Sequence, residues 1–142
     1  MKCKLIGLVL FTMITFTNTA FATKWMYVCN SSDQMETLYV DRDSAVQTGD
    51  TVTFWELVVM YEPDPADVKK IVYKKQAKKP RMERQLEKYY YKSNNELHWS
   101  ELEALNWDSY FAGTTEAYVV NAAFKYAKEG KDTGQQPSLN NP

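Results

Sequence analysis

Apolar residues along this chain recur mostly at every second position, the period of a strand with one face turned inward. Lys24 to Cys29 alternates, with Trp25, Tyr27 and Cys29 expected on one face and Met26 and Val28 on the other. Thr37 to Val40 reads as a second short strand, ended by "DRDS". An Asp at a strand end turns the chain, because its side chain accepts hydrogen bonds from backbone N–H groups just ahead, so Asp41 and Asp43 are expected to be structural. Thr51 to Tyr61, "TVTFWELVVMY", is apolar on both faces: Trp55, Leu57, Val59 and Tyr61 on one, Val52, Phe54, Val58 and Met60 on the other. A strand covered on both sides belongs in the middle of a sheet. Glu56 alone interrupts its face.

The next segment supports two readings. Asp64 and Asp67 ahead of a lysine-rich run suit a helix over Lys69 to Lys79, whereas Ile71, Val72 and Tyr73 suit a strand. Arg81 to Lys92 alternates and ends in "YYY", a strand pattern; "SNNE" is a hairpin turn, and Leu97 to Leu102 returns as another strand. The period then changes. After Gly113, Ala117, Val120, Ala123, Phe124 and Ala127 recur at helical spacing, with Asn121, Lys125 and Lys128 opposite. Thr114 is placed to cap that helix, Glu116 complements its positive start, and Gly130 stops it. The pattern predicts an α+β fold: one antiparallel sheet of about five to six strands with a C-terminal α-helix packed on it.

Both ends differ from this middle. The chain opens "MKCKLIGLVLFTMITFTNTAFA", with Lys2 and Lys4, an apolar run from Leu5 to Phe16, then Ala20-Phe21-Ala22. That is the pattern of a secretory signal peptide cleaved after Ala22, and the run is too short for a membrane span of roughly 20 residues. The last segment, "KDTGQQPSLNNP", is polar and is expected to be disordered with nothing to bury. The predicted organisation is therefore a signal peptide at 1–22, one α+β domain at 23–129 and a polar tail at 130–142. An exported chain of this kind resides in the periplasm, on the outer surface or outside the cell. After cleavage only Cys29 remains of the two cysteines, so the domain is stabilised by packing without an internal disulfide.

Little catalytic chemistry is present. The single histidine, His98, and Cys29 sit in no metal-ligand or nucleophile pattern, and the glycines form no phosphate-cradling loop. No cofactor or metal is expected. Carboxylates are the one acid–base option. Glu101 and Glu103 lie two apart on one expected strand face, and Glu56 stands in apolar surroundings that can raise a carboxyl pKa. A lysine on a neighbouring strand is the simpler partner for Glu56. Trp25 and Trp55 are expected inside, Trp107 just ahead of the helix, and Trp99 exposed.

Charge changes the picture more. The formal net charge of the whole chain is −1, yet Lys69 to Lys92 carries ten basic and two acidic residues. Lys70, Lys74 and Lys78 are four apart and share a face of a strand or lie close on a helix. Arg81, Arg84 and Lys88 are expected to extend the band, with Tyr73 and Tyr89 to Tyr91 as flat contact surface. Solvation of the band, or its neutralisation by the acidic remainder, is the competing reading, since exposed ion pairs contribute only about 0–1 kcal/mol.

The order Trp25-Met-Tyr27-Val, "SSD", "TLYVDRDS" from Thr37 to Ser44, and "GDTVTFW" from Gly49 to Trp55 resembles the start of the bacterial surface-adhesin protein E family. "NWDSYFAGTTEAYVVNAAFKYAK" resembles that family's closing Trp, Gly turn and C-terminal helix. The resemblance covers both ends of the chain rather than the segment from about 66 to 104. It implies a small secreted or surface-exposed module, an antiparallel sheet with a helix on it, and Lys69 to Lys79 as strand. Cell adhesion, through host extracellular-matrix and plasma proteins, is the function it implies. Relatives often carry a cysteine in the middle strands and another in the final helix; this chain has neither, so their disulfide has no counterpart here.

Three functions are in competition. The first is an exported, non-enzymatic, adhesin-like module whose basic band contacts a polyanion or a host extracellular-matrix protein. The second is a structural or envelope-maintenance protein of the periplasm with no dedicated ligand. The third is a small hydrolase using a buried carboxylate. Nucleic acid is a poor candidate partner for an exported acidic chain.

Overall fold

The structure is a computed structural model that describes residues 24–128, 137 and 139. The expected signal peptide and most of the polar tail lie outside these residues. In chain order the strands are β1 (Trp25–Asn30), β2 (Glu36–Asp41), β3 (Val46–Thr48), β4 (Thr51–Met60), β5 (Val68–Lys78), β6 (Met82–Lys92), β7 (Leu97–Glu101) and β8 (Asp108–Ser109), followed by α1 (Thr115–Ala127). They form one antiparallel sheet in the order β1-β2-β4-β5-β6-β7, with β3 also paired to β4 and β8 to β6. The α+β architecture read from the sequence is the observed one. The segment that supported two readings is strand as far as Lys78, with Lys79 in the following turn: β5 pairs along almost its whole length with β4 on one side and β6 on the other. These two rows of ladder bonds and the β-branched centre Ile71–Val72 outweigh the helical preference of the lysines.

β4 holds the middle of the sheet, and its two faces build two cores. On the helix side Val52, Phe54 and Val58 pack with Leu38, Val40, Ala77 and the helix residues Val119, Val120 and Ala123. On the far side Trp55 and Leu57 pack with Trp25 and Val72, flanked by Tyr39, Val59, Tyr89 and Tyr91. The helix sits chiefly over β1 to β4. Thr114 caps it by accepting from the Ala117 N–H (3.4 Å), and Glu116 lies in the first turn. Val119 belongs to the buried stripe that the sequence pattern assigned to Ala117, Val120 and Ala123, because that stripe is wider than a strict heptad face.

Asp41 acts as expected. Its Oδ1 accepts from the backbone N–H groups of Asp43 and Lys24, both at 3.2 Å, and closes the 3₁₀ turn Arg42–Ser44. One expectation fails. In β1 the register shifts between Tyr27 and Cys29, and Cys29 lies opposite Leu38. This bulge interrupts the alternation, so Cys29 packs on the helix-side core with Val28 instead of sharing a face with Trp25. Of the polar tail the structure describes Pro137, which is buried, and Leu139, which packs against the Trp25–Trp55 cluster. A leucine in a polar segment gains by meeting an aromatic face that no helix covers.

Candidate functional site, a cationic strip on the far face of the sheet

Strand parity decides where the basic residues go. Lys70, Lys74 and Lys78 alternate along β5 with inward Val72 as their companion, and they stand opposite Val59, Trp55 and Thr51 of β4. All three therefore project from the far face, which also holds Trp55 and Trp25. Arg84 joins them, since it lies opposite Gln76. Its Nε and Nη2 both donate to Gln76 Oε1, at 2.9 and 2.7 Å. Gln76 Nε2 in turn donates to Thr53 Oγ1 at 3.2 Å. This ladder across β4, β5 and β6 fixes the guanidinium in place.

The other two expected members do not join. Lys88 lies opposite Tyr73 and projects on the helix side, with its Nζ 5.1 Å from the Tyr73 ring centre and 4.6 Å from that of Tyr90. The cause is a second bulge, between Lys74 and Lys75, where Lys74 faces Glu87 and Lys75 faces Gln85. Leu86 is the extra residue, and it breaks the four-residue spacing from Arg84 to Lys88. Arg81 is exposed in the turn between β5 and β6, at the end of the strip.

Aromatic rings hold the strip. Lys74 Nζ lies 5.7 Å from the Trp55 ring centre. Trp107, expected just ahead of the helix, meets Lys78 Nζ at 4.4 Å and the Arg84 guanidinium at 4.7 Å. Ring faces attract cations without cancelling their charge. Among the described residues, no carboxylate lies in ion-pair contact with Lys70, Lys74, Lys78 or Arg84. Glu87 stands opposite Lys74 and is the acidic residue nearest in register. Burial, reinforced by the charge of Lys69, pulls Lys70 below its ordinary value. Trp107 and the Gln76 ladder were invisible in the sequence, because both depend on chain segments brought together only by the fold.

Glu56 has a different fate. It is 3% exposed, and Lys75 Nζ approaches its Oε2 to 2.7 Å. The contact is a buried ion pair. Burial alone would lower the lysine, but Glu56 and Glu83 more than offset it, and Lys75 is held above its ordinary value. Burial pushes Glu83 up, against the pull of Lys75. The arrangement is a buried ion pair between neighbouring strands, the partner expected for Glu56. Glu101 and Glu103 do not form the expected pair on one strand: β7 ends at Glu101, which accepts from the Tyr90 hydroxyl at 3.3 Å. Among the described residues no group of His, Cys, Asp and Glu is arranged to hold a metal ion, and no helix is long and apolar enough to cross a membrane.

No family model, curated protein or solved structure matches the chain.

Proposed function

We propose that this chain is an exported, non-enzymatic binding module, adhesin-like in use, whose far sheet face engages a polyanion through Lys70, Lys74, Lys78 and Arg84. The observation that carries this reading is how the cations are held. A strip meant only for solubility needs no fixed geometry, and a strip neutralised within the fold would be held in ion pairs with carboxylates. Here Trp55 and Trp107 support Lys74, Lys78 and Arg84 while leaving their charge uncancelled. A sulfated glycan or an acidic stretch of an extracellular-matrix protein suits such a strip, since each presents anionic groups along an extended chain.

Heparin-column elution tests it. The wild-type protein is expected to be retained at low salt and released as salt rises, because exposed charges are screened over about 8 Å at physiological ionic strength. The triple variant K70Q/K74Q/K78Q is expected to elute much earlier with its fold intact. Lys88→Gln, on the opposite face, is expected to elute with the wild type. No retention of the wild type, co-elution of the triple variant with it, or an equal effect of Lys88→Gln would remove the strip from the functional account.

A further inference from the structure

A second concave surface lies on the other side of the sheet. The helix sits chiefly over β1 to β4, which leaves the helix-side face of β6 and β7 open. There a shallow cavity of about 220 Å³ is lined by Asp64, Ala66, Val68, Tyr90, His98, Trp99 and Glu101. Trp99 is 61% exposed, far more than a tryptophan used for packing. Tyr90 is its direct cross-strand partner. We propose that this cavity binds a neutral pyranose sugar, with Trp99 as the stacking platform.

The polar rim is fixed before any ligand arrives. Asp64 Oδ1 accepts from the Ala66 and Val68 N–H groups at 2.9 and 2.8 Å, which orients its carboxylate. Glu101 Oε1 takes the Tyr90 hydroxyl, and its Oε2 takes Gln85 Nε2 at 3.5 Å. Each carboxylate oxygen has two lone pairs, so acceptor capacity remains. The rim therefore presents acceptors beside a flat apolar ring. A pyranose offers the complement, hydroxyl donors around an apolar face of C–H groups, and a few convergent polar groups beside aromatic surface are how small-molecule sites fix orientation.

Charge argues against an anion, which would meet Asp64 and Glu101. Both carboxylates already accept from the protein's own donors, and Lys88, beside the cavity rather than in its lining, stands opposite Glu101 with its Nζ 4.6 Å from the Tyr90 ring centre, so that ring already has a cation. A neutral polyol needs no charge partner, and a cation is the competitor that the choline control below tests. The cavity is on the opposite face from the cationic strip, so the two proposals stand or fall separately.

The test is a titration of the full exported chain, followed by ¹H–¹⁵N correlation spectra, with the methyl glycosides of glucose, galactose and N-acetylglucosamine. Saturable shifts of the Trp99 indole N–H and the Tyr90 amide with at least one sugar are expected. Trp99→Ala should abolish the Tyr90 shift, and Glu101→Ala should weaken it, both with the remaining spectrum preserved. Trp99→Phe, which keeps a ring, should retain part of the response. Three results would overturn the proposal: no saturable shift with any of the sugars, a Tyr90 shift that survives Trp99→Ala, or shifts with choline chloride that no sugar produces.

Discussion

Lys75 and Glu56 meet diagonally across the β4–β5 pair: Glu56 lies opposite Tyr73 and Lys75 opposite Phe54, yet their charged ends come to 2.7 Å. Removing one partner leaves the other charge buried. Lys75→Met is therefore expected to destabilise the fold by about 3–5 kcal/mol. The double variant E56M/K75M should recover most of that loss, since apolar residues of similar volume replace a buried pair at little net cost. Urea unfolding of both variants checks this; equal losses in the two would mean the pair is not coupled.

The same pair sets an alkaline limit. The folded state holds Lys75 above its ordinary value, so the unfolded chain releases this proton first as pH rises. The stabilisation is complete below the ordinary lysine range and is lost progressively above it. Wild-type stability should fall more steeply than that of E56M/K75M from about pH 10 upward, as measured by thermal melts across pH.

Trp55 and Trp99 differ in what surrounds them. Trp55 is 7% exposed and packs with the Tyr89 ring, centre to centre 6.0 Å, whereas Trp99 projects outward. Trp55→Ala should cost about 3–5 kcal/mol, the usual loss for a large core aromatic. Trp99→Ala should stay within about 0.5 kcal/mol of wild type. Paired urea melts read the difference directly.

Asp41 is buried, and desolvation raises its carboxyl above the ordinary value despite the N–H groups it accepts from. A raised carboxyl favours the protonated fold, so its ionisation weakens stability as pH rises through the carboxylate range. Asp41→Asn keeps an acceptor without the charge and should be neutral or stabilising at pH 7. Asp41→Ala loses the acceptor and should cost about 0.5–2 kcal/mol. Thermal melts at pH 4 and pH 7 should show the Asn variant gaining on wild type at the higher pH.

Leu139 ties the tail to the aromatic cluster. Ending the chain at Lys128 should increase acrylamide quenching of tryptophan fluorescence, and Leu139→Asp should reproduce most of that increase. Quenching unchanged in both would show that the contact does not shield Trp25 and Trp55.

The strands and helix were legible because burial imposes a period on them: β4 shows both apolar faces, and α1 shows its cap and its stripe. The placement of Lys70, Lys74 and Lys78 followed from parity alone. Lys88 and Cys29 were misplaced for one shared reason. A bulge inserts a residue without any distinctive side chain, and Val28 and Leu86 look like ordinary strand members. Trp107 was illegible for another reason: it reaches Lys78 and Arg84 from a segment after β7, and no local pattern reports such a crossing.

Leu86 also makes the hairpin unusual in how it would respond to the loss of a codon. Deleting one residue from within a strand normally turns every later side chain to the wrong side. Here Lys75 already faces Gln85 and Lys74 already faces Glu87, so excising Leu86 closes the gap and leaves each of those partnerships as it stands. Ironing out the bulge by sliding the strand instead would set Lys88 against buried Val72 and pull Tyr89 away from Trp55. The extra residue is thus a spacer whose removal leaves the flanking partnerships in place, while the phase it marks is the one the two cores require.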